Sequence, residues 1–261
     1  MKKPAWVIEK ERTRRAADAV TVWLFGLHAV RDALLNPARH RLRLIVTRNA
    51  ADRLGEAIAT AGIAPEIADA RRFPAPLDPD SVHQGAALEV RPLEWGPLAT
   101  LCDPEHGAAP ATVMLLDRVT DPHNAGAVLR SAEVFGARAV IAPARHAAPE
   151  TGALAKAASG ALERQPYLRV RNLAAAMEEL RGMGYLLLGL DGAAEAALEE
   201  AVAAAGAARP LGLVLGAEGP GLRAGTRAAC DRLVRIAAAG DFGSLNVSNA
   251  AAVALHAARR R

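Results

Sequence analysis

The sequence predicts an α/β protein of two domains, and three observations carry that prediction. Short apolar runs alternate with segments of helical period along most of the chain, which is the grammar of strands covered by helices. A stretch containing Pro92, Pro97, Pro104 and Pro110, with Gly96 and Gly107, divides the alternation in two. With 51% apolar residues in 261, the chain can bury a core on either side of that stretch.

In chain order, residues 1–21 read as a basic, disordered arm. Lys2, Lys3, Lys10, Arg12, Arg14 and Arg15 face only Glu9 and Glu11 in the first fifteen residues, so a segment carrying the whole net charge of +4 sits there. Such an arm suits a polyanion, through phosphate contacts and counterion release; a solvated terminus is the plainer alternative. Residues 22–92 form the first domain, with a helix after Gly26, a strand at 42–47, a helix near 50–61 and a strand at 86–90. Residues 93–110 are the linker, with the domain boundary near 105.

Residues 111–261 hold the second alternation. The run 112–116 is continuously apolar, as in a strand buried on both faces. A helix follows from Asn124, then strands at 139–142, 168–170, 185–190 and 211–215, and helices at 151–162, 173–181, 223–229 and 245–259. This order predicts a mainly parallel, Rossmann-like sheet with helices on both faces, and ligands in such sheets bind beyond the carboxyl ends of the strands.

Composition excludes several classes. No run of eighteen uncharged apolar residues occurs, and the charged start lacks the apolar core of a signal peptide, so a cytoplasmic protein without membrane partners is expected. Cys102 and Cys230 make no CxxC, and the seven histidines show no HxH or HxxxH spacing, so neither a disulfide framework nor a metal is expected.

Three loops at predicted strand ends carry candidate chemistry. The first runs from Asp117 to Glu133. Asn124 is placed to cap a helix whose apolar face is Ala125, Val128, Leu129, Ala132 and Phe135, and Arg130 falls off that face. The pair could hold an RNA phosphate or ribose, or be a cap and a surface arginine. The second, Gly216-Ala-Glu218-Gly-Pro-Gly221-Leu222, sets glycines around a carboxylate and allows close backbone approach to a ligand. It lacks GK[ST] and the GxGxxG spacing, which argues against a P-loop and against a nicotinamide-dependent oxidoreductase. The third runs from Ile236 through Ser244, Leu245, Asn246, Val247 and Ser248 into an alanine-rich helix, with Ser244 as its expected cap.

Together these loops resemble the three motifs, in order, of the SpoU/TrmH branch of the SPOUT RNA methyltransferases. They read Asn124-x-Gly126-x3-Arg130-Ser131-x-Glu133, Gly216-x-Glu218-Gly219-x-Gly221-Leu222 and Ser244-Leu245-Asn246-Val247-Ser248. The segments 25–34 and 82–85 resemble the L7Ae/L30e-like substrate-binding domain of the members that methylate a guanosine of large-subunit rRNA. The chain departs from the third motif at Ala237, where proline is usual, and at Asn249, where a small apolar residue is commoner.

The resemblance implies a deep trefoil knot in residues 111–261, S-adenosylmethionine as methyl donor, a homodimer and 23S rRNA as the RNA partner. A tRNA 2′-O-methyltransferase of the same family, or an RNA-binding assembly protein that has lost catalysis, are its alternatives. It assigns Gly216, Ile236, Leu245, Gly221 and Leu222 to the donor. It assigns Arg130, Asn124, Glu218, Ser244 and Asn246 to the reacting side.

Overall fold

The structure, a computed structural model, describes residues 20–105, 111–240 and 244–260. Residues 1–19 of the basic arm and 106–110 of the linker lie outside the described residues. The protein is α/β, in two compact units. The first comprises the described residues up to Glu94 with Glu150–Lys156; the second comprises Trp95–Pro149 and the chain from Ala157.

The first unit is built from β1 (Val22–Phe25), α1 (Leu27–Leu35), β2 (Arg41–Val46), α2 (Arg48–Arg53), α3 (Gly55–Ala61), β3 (Pro65–Ile67) and β4 (Ala86–Val90). The sheet order is β1-β4-β2-β3; β4 runs antiparallel to both neighbours, while β2 and β3 are parallel. α1 buries Leu27, Val30, Ala33 and Leu34, an i, i+3, i+6, i+7 face. The helix expected at 50–61 is two helices. Thr47 caps the first through Ala50 N, and Leu54, outside the helical range, separates them. β1 and β3 have no counterpart in the sequence reading, because four and three residues are too short to display a period.

The second unit contains α4 (Leu98–Leu101), β5 (Thr112–Asp117), α5 (Pro122–Phe135), β6 (Ala139–Pro143), β7 (Tyr167–Val170), α7 (Leu173–Gly182), β8 (Leu186–Leu190), α8 (Leu198–Ala205), β9 (Leu211–Gly216), α9 (Ala224–Ala228), β10 (Arg232–Val234) and α10 (Val247–Arg259). Before β7 in the chain comes α6 (Gly152–Ala158). It stops at Ser159 (φ 51) and Gly160 (φ 93), so the helix expected to reach 162 ends early in a 3₁₀ turn. Six strands form one wholly parallel sheet in the order β10-β8-β9-β5-β6-β7. Val113, Leu115, Ile141, Leu187 and Val214 pack with Met177, Leu180 and Tyr185 on one face. Part of the stretch read as linker joins this core: Leu98 and Cys102 are buried in it, and Tyr185 Oη donates to Cys102 O at 2.7 Å.

The strand order positions the site. From β5 the chain steps outward through β6 and β7, then crosses to place β8, β9 and β10 on the other side. β5 and β9 lie side by side at the crossover, with Asp117 opposite Gly216. Their loops therefore open next to each other, at the kind of switch point where open α/β sheets bind ligands.

Candidate active site

α5 starts one turn earlier than the sequence suggests. Asp121 is its cap, accepting from His123 N at 3.0 Å, and Pro122 fills the first helical position, where no N–H is needed. Asn124, expected as the cap, lies inside the first turn instead. Its amide is thus free of its own helix and reaches the other two loops. Nδ2 donates to Glu218 Oε1 at 3.2 Å, and Oδ1 accepts from Asn246 Nδ2 at 3.0 Å.

The second loop is a tight return closed by its own backbone. Gly221 N donates to Ala217 O at 2.9 Å, with Gly219 at φ 81 and Gly221 at φ 67. A Cβ on Gly216 would lie 2.1 Å from the Gly221 carbonyl carbon and 2.3 Å from Leu222 N, so no side chain fits there. The exit is pinned by Asp117, which is fully buried at the end of β5. Its carboxylate accepts from Arg223 N at 3.0 Å and Arg223 Nε at 2.7 Å. Sequence reasoning gave Asp117 no role; a carboxylate closing a buried apolar strand was the available signal.

In the third loop Asn246, not Ser244, caps the helix. Its Oδ1 accepts from Ser248 N at 2.9 Å and from Ser248 Oγ at 2.5 Å, while its Nδ2 also donates to Glu218 Oε1. Val247 N donates to the same Glu218 oxygen at 3.3 Å. Glu218 thereby ties all three loops together.

Beside this cluster lies a cavity of about 440 Å³. Its wall includes Gly216, Glu218, Gly221, Ile236, Ser244 and Leu245 from the expected set, and also Asp191 and Gly192 from the end of β8. Asp191 was missed, although the strand-end rule pointed to its loop; its carboxylate holds Arg227 Nη1 and Ala193 N. Asn124 and Asn246 join the wall only through Glu218, and two more expected residues are not on it. Leu222 packs against the core beneath β8, 3.1 Å from where a Cβ on Gly189 would be. Arg130 is exposed on α5 and has no hydrogen-bond or ion-pair partner among the described residues. Among those residues no three His, Cys, Asp or Glu side chains gather as a metal would need, and no helix is long and apolar enough to cross a membrane.

The pattern of the SpoU rRNA Methylase family matches residues 111–256, a span containing all three loops. The chain belongs to the SpoU rRNA methylase family. A relative named 23S rRNA (guanosine-2′-O-)-methyltransferase RlmB, from Ralstonia nicotianae, is 40% identical over 243 residues, covering 91% of this chain and 95% of the relative. An uncharacterized tRNA/rRNA methyltransferase of Synechocystis sp. is 41% identical over 175 residues, and there the match spans 44% of the relative's length. Among solved structures, the SpoU methyltransferase AviRb from Streptomyces viridochromogenes, in complex with AdoMet, shares the fold. It has a TM-score of 0.74 and 25% identity, and the match covers 96% of this chain and 92% of that one. This SpoU chain thus shares an α/β architecture, a mixed four-stranded sheet and a six-stranded parallel one, with a donor-bound relative.

Proposed function

We propose that this protein transfers a methyl group from S-adenosylmethionine to the ribose 2′-hydroxyl of a guanosine in 23S rRNA. The observation that carries the reading is the joining of Asn124, Glu218 and Asn246 beside the Gly216 cavity, in a chain of the SpoU family. The reaction named for the Ralstonia relative and the AdoMet held by the Streptomyces structure support it.

The residues present fit the donor. The cavity has the size of a small-ligand site, and its wall offers Leu215, Ile236 and Leu245 to a flat base, with Gly216 and Gly221 of the tight loop beside them. When bound, S-adenosylmethionine supplies an already activated sulfonium methyl. Backbone at Gly216, Ile236 and Leu245 holds the adenosine part, Gly221 closes the loop, and Leu222 anchors that loop to the core.

On the reacting side the protein has to orient a hydroxyl and accommodate one proton. Glu218 locks the Asn124 and Asn246 amides into a fixed frame for the ribose, with the Ser244 hydroxyl on the same wall. Arg130 clamps a phosphate of the substrate strand and so positions the hydroxyl. A guanidinium stays protonated in proteins, so the proton leaves through phosphate or water rather than to Arg130.

The reading extends to the knot in residues 111–261, to residues 22–92 as the RNA substrate-binding domain, and to a homodimer. Val134 on α5 and Val253 on α10, helices packed on each other, are 71% and 38% exposed. Exposed apolar side chains clustered on one helix pair suit a second copy. The function is tested by mapping ribose methylation in 23S rRNA from a deletion strain and its complemented partner. One guanosine should lose its methyl group in the first and regain it in the second; identical maps would overturn the reading.

A further inference from the structure

The half of the sheet edge on the far side of β5 from the cavity carries positive charge outside the site. β5, β6 and β7 end side by side at Asp117, Pro143 and Val170. Just past them stand Arg118, then Arg145 with His146, then Arg171. All four side chains are exposed, and among the described residues none has a hydrogen-bond or ion-pair partner. Adjacent strands lie about 4.8 Å apart, so three strand ends gather the three arginines within a strip roughly 10 Å across.

The strip is a built feature rather than a loose loop. Arg169 of β7 donates to the last carbonyl of β6 and to three of the loop after it: Nε to Pro143 O at 3.2 Å, Nη1 to Ala148 O at 2.8 Å, and Nη2 to Ala144 O at 2.7 Å and Ala147 O at 3.4 Å. Tyr167 Oη adds a bond to Ala148 O at 2.7 Å, and Ala148 N donates to Val119 O at 2.9 Å, tying this loop to the one that carries Arg118. The half-buried Arg169 is thus engaged in holding the loop on which Arg145 and His146 are exposed.

Backbone conformation gives a second, independent sign. Four described non-glycine residues have left-handed backbone, and two of them, Arg118 (φ 62) and His146 (φ 60), lie on this strip. Such a conformation persists in a non-glycine residue only where the surroundings impose it, and it clusters at functional sites. The carboxylates of this edge are already engaged: Asp117 is buried against Arg223, and Asp121 caps α5. Neither carboxylate pairs with an arginine of the strip.

We propose that Arg118, Arg145 and Arg171 form a phosphate track that leads the substrate RNA strand onto Asn124 and Glu218. The track ends where the chemistry begins, since Asn124 lies six residues beyond Arg118 on the helix that follows β5. This inference rests on the reading of the site as an RNA methyltransferase. Its contacts are sequence-independent, whereas recognition of the particular guanosine belongs elsewhere.

The test compares the full-length protein with a triple variant, Arg118→Gln, Arg145→Gln and Arg171→Gln, binding protein-free 23S rRNA between about 50 and about 200 mM salt. A control triple, Arg232→Gln, Arg259→Gln and Arg260→Gln, removes equal charge; Arg259 and Arg260 end the helix that starts at the site, roughly 20 Å away along its axis. The track variant should lose about two to three units of the salt slope, at about 0.7 to 0.9 per phosphate contact, with unchanged melting temperature and donor affinity. The control should keep the slope. An unchanged slope in the track variant, or an equal fall in the control, overturns the track while leaving methyl transfer by the wild type to support the functional reading. A slope lost only from the track variant, in a wild type that transfers no methyl group to this RNA, overturns the functional reading and keeps the track.

Discussion

Glu218 accepts through a single oxygen, Oε1, from the amides of Asn124 and Asn246 and from Val247 N–H. An ionised carboxylate only accepts, so it fixes which way both amides turn. Arg130 is engaged by nothing among the described residues, which makes it the cleanest single-residue test. Arg130→Ala should keep the fold and donor affinity while lowering methyl transfer at least about 100-fold in single-turnover assays. Arg130→Lys should lose most of that activity at every pH, because an ammonium cannot make the planar bidentate contact; wild-type rates in both variants would remove Arg130 from the mechanism. In the first unit, burial and then the Lys156 charge push His83 below the ordinary imidazole value. Its Nδ1 accepts from Gly85 N at 3.1 Å, which also favours the neutral form, and its ring stacks on Phe73 at 4.2 Å. The unfolded chain therefore binds this proton more readily, so the stability is complete above about pH 6.5 and is lost as pH falls through the folded value. His83→Phe should flatten the acid side of the melting-temperature profile, and a profile parallel to the wild type would show that another group titrates.

At the scale of elements, the long strands were readable because they are continuously apolar, and α5, α7 and α10 because polar residues mark their outer faces. α8 was not, since its alanines blur the boundary between faces, and β10 has three residues between charged neighbours. The misplaced caps share one cause: Asp121, Asn124, Ser244 and Asn246 are all good cap residues, and local preference cannot choose between two candidates a few positions apart. The glycine loop after β9 is where an element meets function most directly. Gly216→Ala sets a methyl group against backbone, which cannot swing away as a side chain would. Overpacking of this kind costs about 1 to 3 kcal/mol. S-adenosylmethionine affinity should fall about tenfold or more by titration calorimetry, and wild-type affinity would mean that the donor does not use this loop.

For the whole molecule, the parallel sheet does what no single loop can, by bringing residues 94 and 122 positions apart in the chain within hydrogen-bonding distance. The exposed apolar residues of α5 and α10 carry the prediction for assembly. Val134→Asp with Val253→Asp should convert a dimer into a folded monomer in sedimentation velocity, because a charge buried without a partner opposes association. An unshifted sedimentation coefficient would place the interface on another face.

The sequence alone determined the α/β class, the two-part organisation of the alternation and the three loops at strand ends, because hydrophobic period and glycine clustering are local properties. Family resemblance supplied the chemistry those loops suggest. Only the tertiary structure decided that β9 inserts beside β5, that Asn124 is released from capping to meet Glu218 and Asn246, and that Arg169 holds the loop on which Arg145 is exposed. Each depends on which strands become neighbours. That choice is made by packing between segments distant in the chain, and a local pattern carries no record of it.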